Sequence, residues 1–204
     1  AMPLFDGKTF DGWEGNLDAF RIVDGAIVGG DLQKTTPRSE YLCTTQTYGD
    51  FELRLKCKTI AADPEEHATA IPAWAPDSGI QVRGRRTGGT SAMNGYEVDA
   101  GETTWGNIWD ANRSQLTVGL SPEELKKIVR KGHWNSYVII CKGQRLQIWV
   151  NGRKTLDYKA ATAKTGLIGL QLAGGYPGQV WFKDITIKVS EADQARARQL
   201  AGVS

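Results

Sequence analysis

Three carboxyls, Glu97, Asp99 and Glu102, lie within six residues and could do acid–base work. Alternate residues of a strand share a face, so Glu97 and Asp99 project together while Glu102 has the opposite parity. Gly101 offers a place for a bulge that would absorb one residue and return Glu102 to their side. In Ser78–Arg83, the same alternation sends Gln81 and Arg83 one way and Ile80 and Val82 the other. A guanidinium beside two acids can hold one ionised as a base while the other stays protonated. The bland alternative is a solvated sheet face, with the acids paired to Arg83 and Arg113.

Trp105-Gly106-Asn107-Ile108-Trp109-Asp110-Ala111-Asn112-Arg113 follows directly. An indole can stack on the C–H face of a pyranose while Asn, Asp and Arg satisfy its hydroxyls, so Trp105, Trp109, Asp110 and Arg113 suit a sugar subsite. The competing role for Trp105 and Trp109 is core filling beneath a loop. Trp13, Trp134, Trp149 and Trp181 sit where strands start or run, and core packing is expected of them.

Other chemistries find little support. The two histidines, His67 and His133, have no zinc spacing, although an imidazole is in general suited to acid/base work and His67 could supply one on a lid. A G-x-S-x-G elbow, a P-loop and a dinucleotide fingerprint are all missing from the sequence. No cofactor is expected. Hard oxygen ligands suit Ca²⁺ or Mg²⁺, and Glu97 with Asp99 is where such an ion would sit, but nothing in the sequence demands one. Cys43, Cys57 and Cys141 lie far apart in alternating runs and read as buried thiols.

The elements that must position these groups are nearly all strands. Period-two alternation recurs at short spacing, and 24 glycines supply turns. Asp24-Gly25 and Asn151-Gly152 are type I′ hairpin signals. Residues 61–76, with three prolines and no periodicity, read as a long rim loop that could act as a lid, and Gly84–Gly89 as a turn-rich connection. One helix is expected near 121–130, where Ser121, Pro122 and Glu124 form a capping box, and another over the polar tail. The chain of 204 residues divides into one sandwich domain, 4–189, and a helical tail, 190–204. With 25 basic and 23 acidic residues and no basic run, nucleic acid is not an expected partner, and no stretch is apolar enough to span a membrane.

Leu4-Phe5-Asp6-Gly7-Lys8, Gly12-Trp13, Val23-Asp24-Gly25, Tyr48–Leu53, Ser78–Arg83, Gly95–Asp99, Trp134-Asn135, Asn151-Gly152 and Gly169–Gln171 occur in the order that marks the 3-keto-disaccharide hydrolase domain family. The sequence resembles that family from Leu4 to about Ile187. Trp105–Arg113 is similar to its W-G-x-[IL]-[YW]-D segment with a trailing Arg. The resemblance implies a concanavalin A-like jelly-roll of two antiparallel sheets, in proteins that are usually bacterial and exported. An extracellular or periplasmic setting follows as an expectation. No signal peptide is visible at Ala1-Met2-Pro3, and the abrupt start of the fold at Leu4 would fit a trimmed leader.

The resemblance also implies cleavage of glycosides whose C3 hydroxyl is a ketone, with a mono- or oligosaccharide as ligand. A C3 ketone acidifies the C2 hydrogen and stands β to the C1 leaving group, so elimination and hydration can replace direct hydrolysis. This needs a base at C2, a donor at the enolate oxygen and an acid at the glycosidic oxygen. The roles fall to Glu97 or Asp99 as base, Arg83 as cation, Glu102 or His67 as acid, and Gln81, Gln171, Trp109 and Arg113 as sugar-binding groups. Two alternatives remain open. One is a non-catalytic lectin-like module. The other is a retaining endo-β-glucanase, since Glu97/Asp99/Glu102 resembles the E-x-D-x-x-E motif of laminarinase and lichenase-type jelly rolls.

Overall fold

Alternating residues become strands throughout the computed structural model, which describes residues 1–67, 71–72, 75–161 and 165–200. The strands begin with β1 (Met2–Pro3), β2 (Trp13–Glu14), β3 (Phe20–Val23), β4 (Ala26–Asp31) and β5 (Glu40–Thr44). Next come β6 (Phe51–Ala61), α1 (Pro64–His67), β7 (Gly79–Arg86), β8 (Met93–Asp99), β9 (Ile108–Asp110) and β10 (Gln115–Thr117). After α2 (Pro122–Ile128) follow β11 (Asn135–Lys142), β12 (Arg145–Val150), β13 (Arg153–Lys159), β14 (Leu167–Leu172), β15 (Gly178–Val189) and α3 (Glu191–Leu200).

One antiparallel sheet runs β13-β12-β11-β6-β15-β4-β3, with β1 also on β15; the other runs β10-β9-β8-β7-β14-β5-β2. Both expected I′ turns form, with positive φ at Asp24 and Gly25 and at Asn151 and Gly152. The Ser121 capping box closes on Glu124 and starts α2. Ser190 accepts from the Asp193 amide at the start of α3.

The two sheets meet over their apolar faces. Leu42, Leu170, Ile80, Val98 and Ile108 form one cross-strand row on the inner side of the second sheet, all fully buried. Leu53, Leu55, Tyr137, Ile139, Ile148 and Phe182 oppose them from the first. Each such side chain contributes about 1.5–3 kcal/mol by burial, so the row fixes the register. That register sends the alternate residues Gln81, Glu97 and Trp109 outward. All three cysteines are free and buried.

Three expectations need correction. Trp134, Trp149 and Trp181 do not join the core that holds Trp13; they are half-buried on the outer side of the first sheet. Gly84–Gly89 is not a plain connection, because β7 continues through it to Arg86. The segment 61–76 is not all loop, since it contains the end of β6 and α1; the lid expectation falls partly on 68–70 and 73–74, outside the described residues.

Candidate active site

The outer face of the second sheet carries the site. Gln81, Glu97 and Trp109 are directly paired across β7, β8 and β9, and Gly79 pairs with Asp99 one step along. Glycines clear the floor: a Cβ on Gly79 would stand 2.7 Å from Glu97 Cγ, and one on Gly95 would stand 2.9 Å from Gln81 Nε2. Gln171 Nε2 donates to the Tyr41 hydroxyl at 3.0 Å, and that hydroxyl donates onward to Glu97 Oε2 over a longer 3.5 Å.

A third acid enters from the residues preceding β7. The Asp77 amide donates to the Tyr176 hydroxyl at 2.8 Å, and the same hydroxyl donates to the Asp77 carbonyl at 3.2 Å. This clamp turns the Asp77 carboxyl over Gly101, where any side chain would collide with it. From below, Tyr137 donates to the Asp99 carbonyl and fixes the end of β8.

The three carboxyls titrate as a crowded, poorly solvated group. Burial pushes Asp77 up to about 6. Burial and then the Asp77 charge push Glu97 up to about 8, with the Tyr41 hydrogen bond opposing. Burial, then Glu97, then Asp77 push Asp99 up to about 9. At neutral pH this favours an ionised Asp77 beside protonated Glu97 and Asp99, a base and acids set apart by their surroundings. Two buried amide atoms beside them, Gln81 Nε2 and Gln171 Oε1, have no hydrogen-bond partner. Such atoms cost about 1–3 kcal/mol each.

The β7–β8 hairpin holds Tyr41 in place. Its register breaks between Val82 and Arg85, and its tip reaches across β14 to β5, where the Tyr41 amide donates to Thr90 O at 2.9 Å. Arg86 donates to the Tyr41 carbonyl at 2.9 Å and to Glu14 Oε1 at 2.8 Å, while Met93 packs on Tyr41 and Cys43.

The register break removes Arg83 from the site. Arg83 adopts φ +49° at the bulge, leaves the alternation of Gln81, and donates to Gly49 O, Gly143 O and Asp50 Oδ1 at the edge of the other sheet. Its expected place beside Glu97 and Asp99 is therefore corrected. Glu102 is not returned to the acid face either. Residues 101–106 form a turn, and Glu102 Oε1 pairs with Lys131 Nζ at 2.7 Å.

Trp105 is a core residue, stacked on Tyr137 with ring centroids 5.8 Å apart. Asp110 closes the β9–β10 hairpin by accepting from the Asn112 and Arg113 amides and from Arg113 Nε, and Arg113 also reaches the Tyr158 hydroxyl. Neither belongs with the acids. His67 ends α1 with Nε2 3.9 Å from Glu66 Oε2, and no described contact joins it to the three carboxyls. Of the expected set, Glu97, Asp99, Gln81, Gln171 and Trp109 come together.

Sequence reasoning missed Asp77, Tyr41 and Tyr176. Asp77 was legible, because the alternation of Gly79 and Gln81 extended back by two residues reaches it. Among the described residues, no three His, Cys, Asp or Glu side chains form a metal-holding group.

The model of the 3-keto-alpha-glucoside-1,2-lyase-like domain matches residues 1–188. The chain belongs to that family. Membership makes this lyase-like domain a carbohydrate-active, glycosyl hydrolase-like protein. Two Parabacteroides distasonis structures provisionally described as glycosyl hydrolases share its jelly-roll fold. One is 23% identical over 92% of this chain and 98% of its own, with a TM-score of 0.65. The other is 19% identical over 92% and 93%, at 0.64. A carbohydrate-binding module from Bacillus subtilis superposes at TM-score 0.60 with 14% identity, covering 87% of this chain and 96% of its own. No curated protein sequence matches the lyase-like domain. Among its described residues, no helix is long and apolar enough to cross a membrane.

Proposed function

We propose that this protein cleaves 3-keto-glycosides by elimination across C1–C2, followed by hydration. The observation that carries the reading is the convergence of Asp77, Glu97 and Asp99, with their pKa values spread across neutrality, beside two unpartnered amides. Ionised Asp77 takes the C2 proton, and the C2–H electrons pass into an enolate whose oxygen was the C3 ketone. Gln81 Nε2 supplies a neutral hydrogen bond to that oxygen, the part first expected of Arg83. The enolate then collapses, the C1–O bond breaks, and a protonated Asp99 or Glu97 delivers its proton to the departing oxygen. Water adds across the resulting C1=C2 bond: its OH goes to C1 and its proton to the ionised Asp99 or Glu97, while protonated Asp77 returns a proton to C2, giving the free 3-keto sugar and resetting both groups. Gln171 Oε1 accepts from a ring hydroxyl and Trp109 offers a flat apolar surface for the sugar.

This assignment moves the base from Glu97 or Asp99 to Asp77, because a carboxyl held protonated at neutral pH serves better as a proton donor. The test is turnover of a 3-keto-α-glucoside and of its unoxidised parent by the wild-type protein and by Asp77→Asn. Release of the aglycone from the keto sugar alone, lost in the variant, supports the reading. Binding without turnover would make the domain a lectin-like module, and release of reducing ends from β-glucan would make it a glucanase; either result overturns it.

A further inference from the structure

The opposite side of the molecule has a different character. On the outer side of β6, β11 and β15, the register places Arg54, Lys56, Lys58, Lys142, Lys183 and Lys188, with Glu52 and Asp184 as the acids among them. Arg54 pairs with Glu52 at 2.8 Å and Lys56 with Asp184 at 3.4 Å. Lys58, Lys142, Lys183 and Lys188 have no carboxylate at ion-pair distance among the described residues, although the whole chain carries a net charge of only +2.

Two indoles stand among these cations. Trp134 and Trp181 are half-buried and meet edge to face, with centroids 6.4 Å apart and planes at 87°. Lys58 Nζ lies 4.7 Å from the Trp134 centroid and 4.4 Å from that of Trp181, and Lys183 Nζ lies 4.4 Å from Trp134. A lysine ammonium swings on a flexible stem with three donors, so a carboxylate can draw it off the ring and leave the indole face to a sugar.

We infer that this face binds an acidic polysaccharide, with uronate carboxylates on Lys58 and Lys183 and a sugar ring on the Trp134–Trp181 pair. Charge complementarity selects an anion, and the indoles select one made of sugars. A membrane surface fits less well, because the exposed large apolar side chains among the described residues, Leu17, Leu116 and Val118, lie away from β6, β11 and β15. The inference is independent of the carboxyl site, which opens on the other sheet.

The test is calorimetric titration of the full chain with oligogalacturonate, with tryptophan fluorescence in parallel. The expected result is binding that shifts the fluorescence and weakens at least about tenfold from low to physiological salt. Lys58→Glu with Lys183→Glu should lose at least about tenfold in affinity, and Lys58→Arg with Lys183→Arg should retain it, with thermal unfolding and carboxyl-site turnover unchanged in both. No binding at low salt would overturn the inference. So would equal affinity for duplex DNA or phosphatidylserine vesicles, or unchanged affinity in the Glu variant.

Discussion

Glu97 lies folded over Gly79, so close that a single methyl group on Gly79 would stand 2.7 Å from Glu97 Cγ. The backbone of Gly79 does not require glycine, since its φ is not positive. Glycine is needed there for the space its neighbour occupies. Gly79→Ala should therefore fold normally by circular dichroism while lowering kcat about tenfold to a hundredfold through displacement of Glu97.

The raised pKa values predict a bell-shaped pH profile for kcat/KM. Activity should rise as Asp77 ionises near pH 6 and fall as Glu97 and Asp99 lose their protons near pH 8–9. In Asp77→Asn no activity should return at any pH. A flat profile between pH 5 and 9 in the wild-type protein would contradict this arrangement.

Stability should follow the same groups. Glu97 and Asp99 have folded-state pKa values above their ordinary ones, so between about pH 4 and pH 9 the folded protein binds more protons than the unfolded chain. Their contribution is fully present below pH 4 and is lost as pH rises toward 9. Glu97→Gln should therefore raise the melting temperature at pH 8, by about 1 kcal/mol or more in unfolding free energy, and should have little effect at pH 4.

Arg83 is expected to act in the fold rather than in the chemistry. Its guanidinium is buried and joins Gly49, Asp50 and Gly143 across the rim of the sandwich. Arg83→Ala should lower unfolding free energy by about 2–4 kcal/mol, read by denaturant titration, while kcat at a temperature where the variant is folded stays within a few-fold of wild type.

The contrast between Arg83 and Gln81 shows what the sequence could disclose. Strand parity put Gln81 and Glu97 each on the polar face of its strand, and the register pairs them, because an apolar row of Ile80, Val98 and Ile108 has one way to face the core. The same rule failed two residues later, where a bulge at a non-glycine position carried no residue-type signal and turned Arg83 aside. Trp105 and Trp109 are four residues apart and chemically alike, yet one is stacked in the core and the other lies beside Glu97; the turn at 101–106 separates them. The expectation of core packing fails for Trp134 and Trp181 because strand position alone does not say which face an isolated indole takes. Asp77 was missed because it precedes the strand, and its role depends on a hydroxyl from Tyr176, distant in sequence.

The central claim is that a carboxylate on this face removes the proton from C2 of a 3-keto sugar. Its most direct measurement is single-turnover cleavage of a 3-keto-α-glucoside deuterated at C2 against the protiated sugar, corrected for non-enzymatic exchange. The account predicts slower cleavage of the deuterated sugar by the wild-type protein, a primary isotope effect on the chemical step. Cleavage of both sugars at the same rate would contradict it.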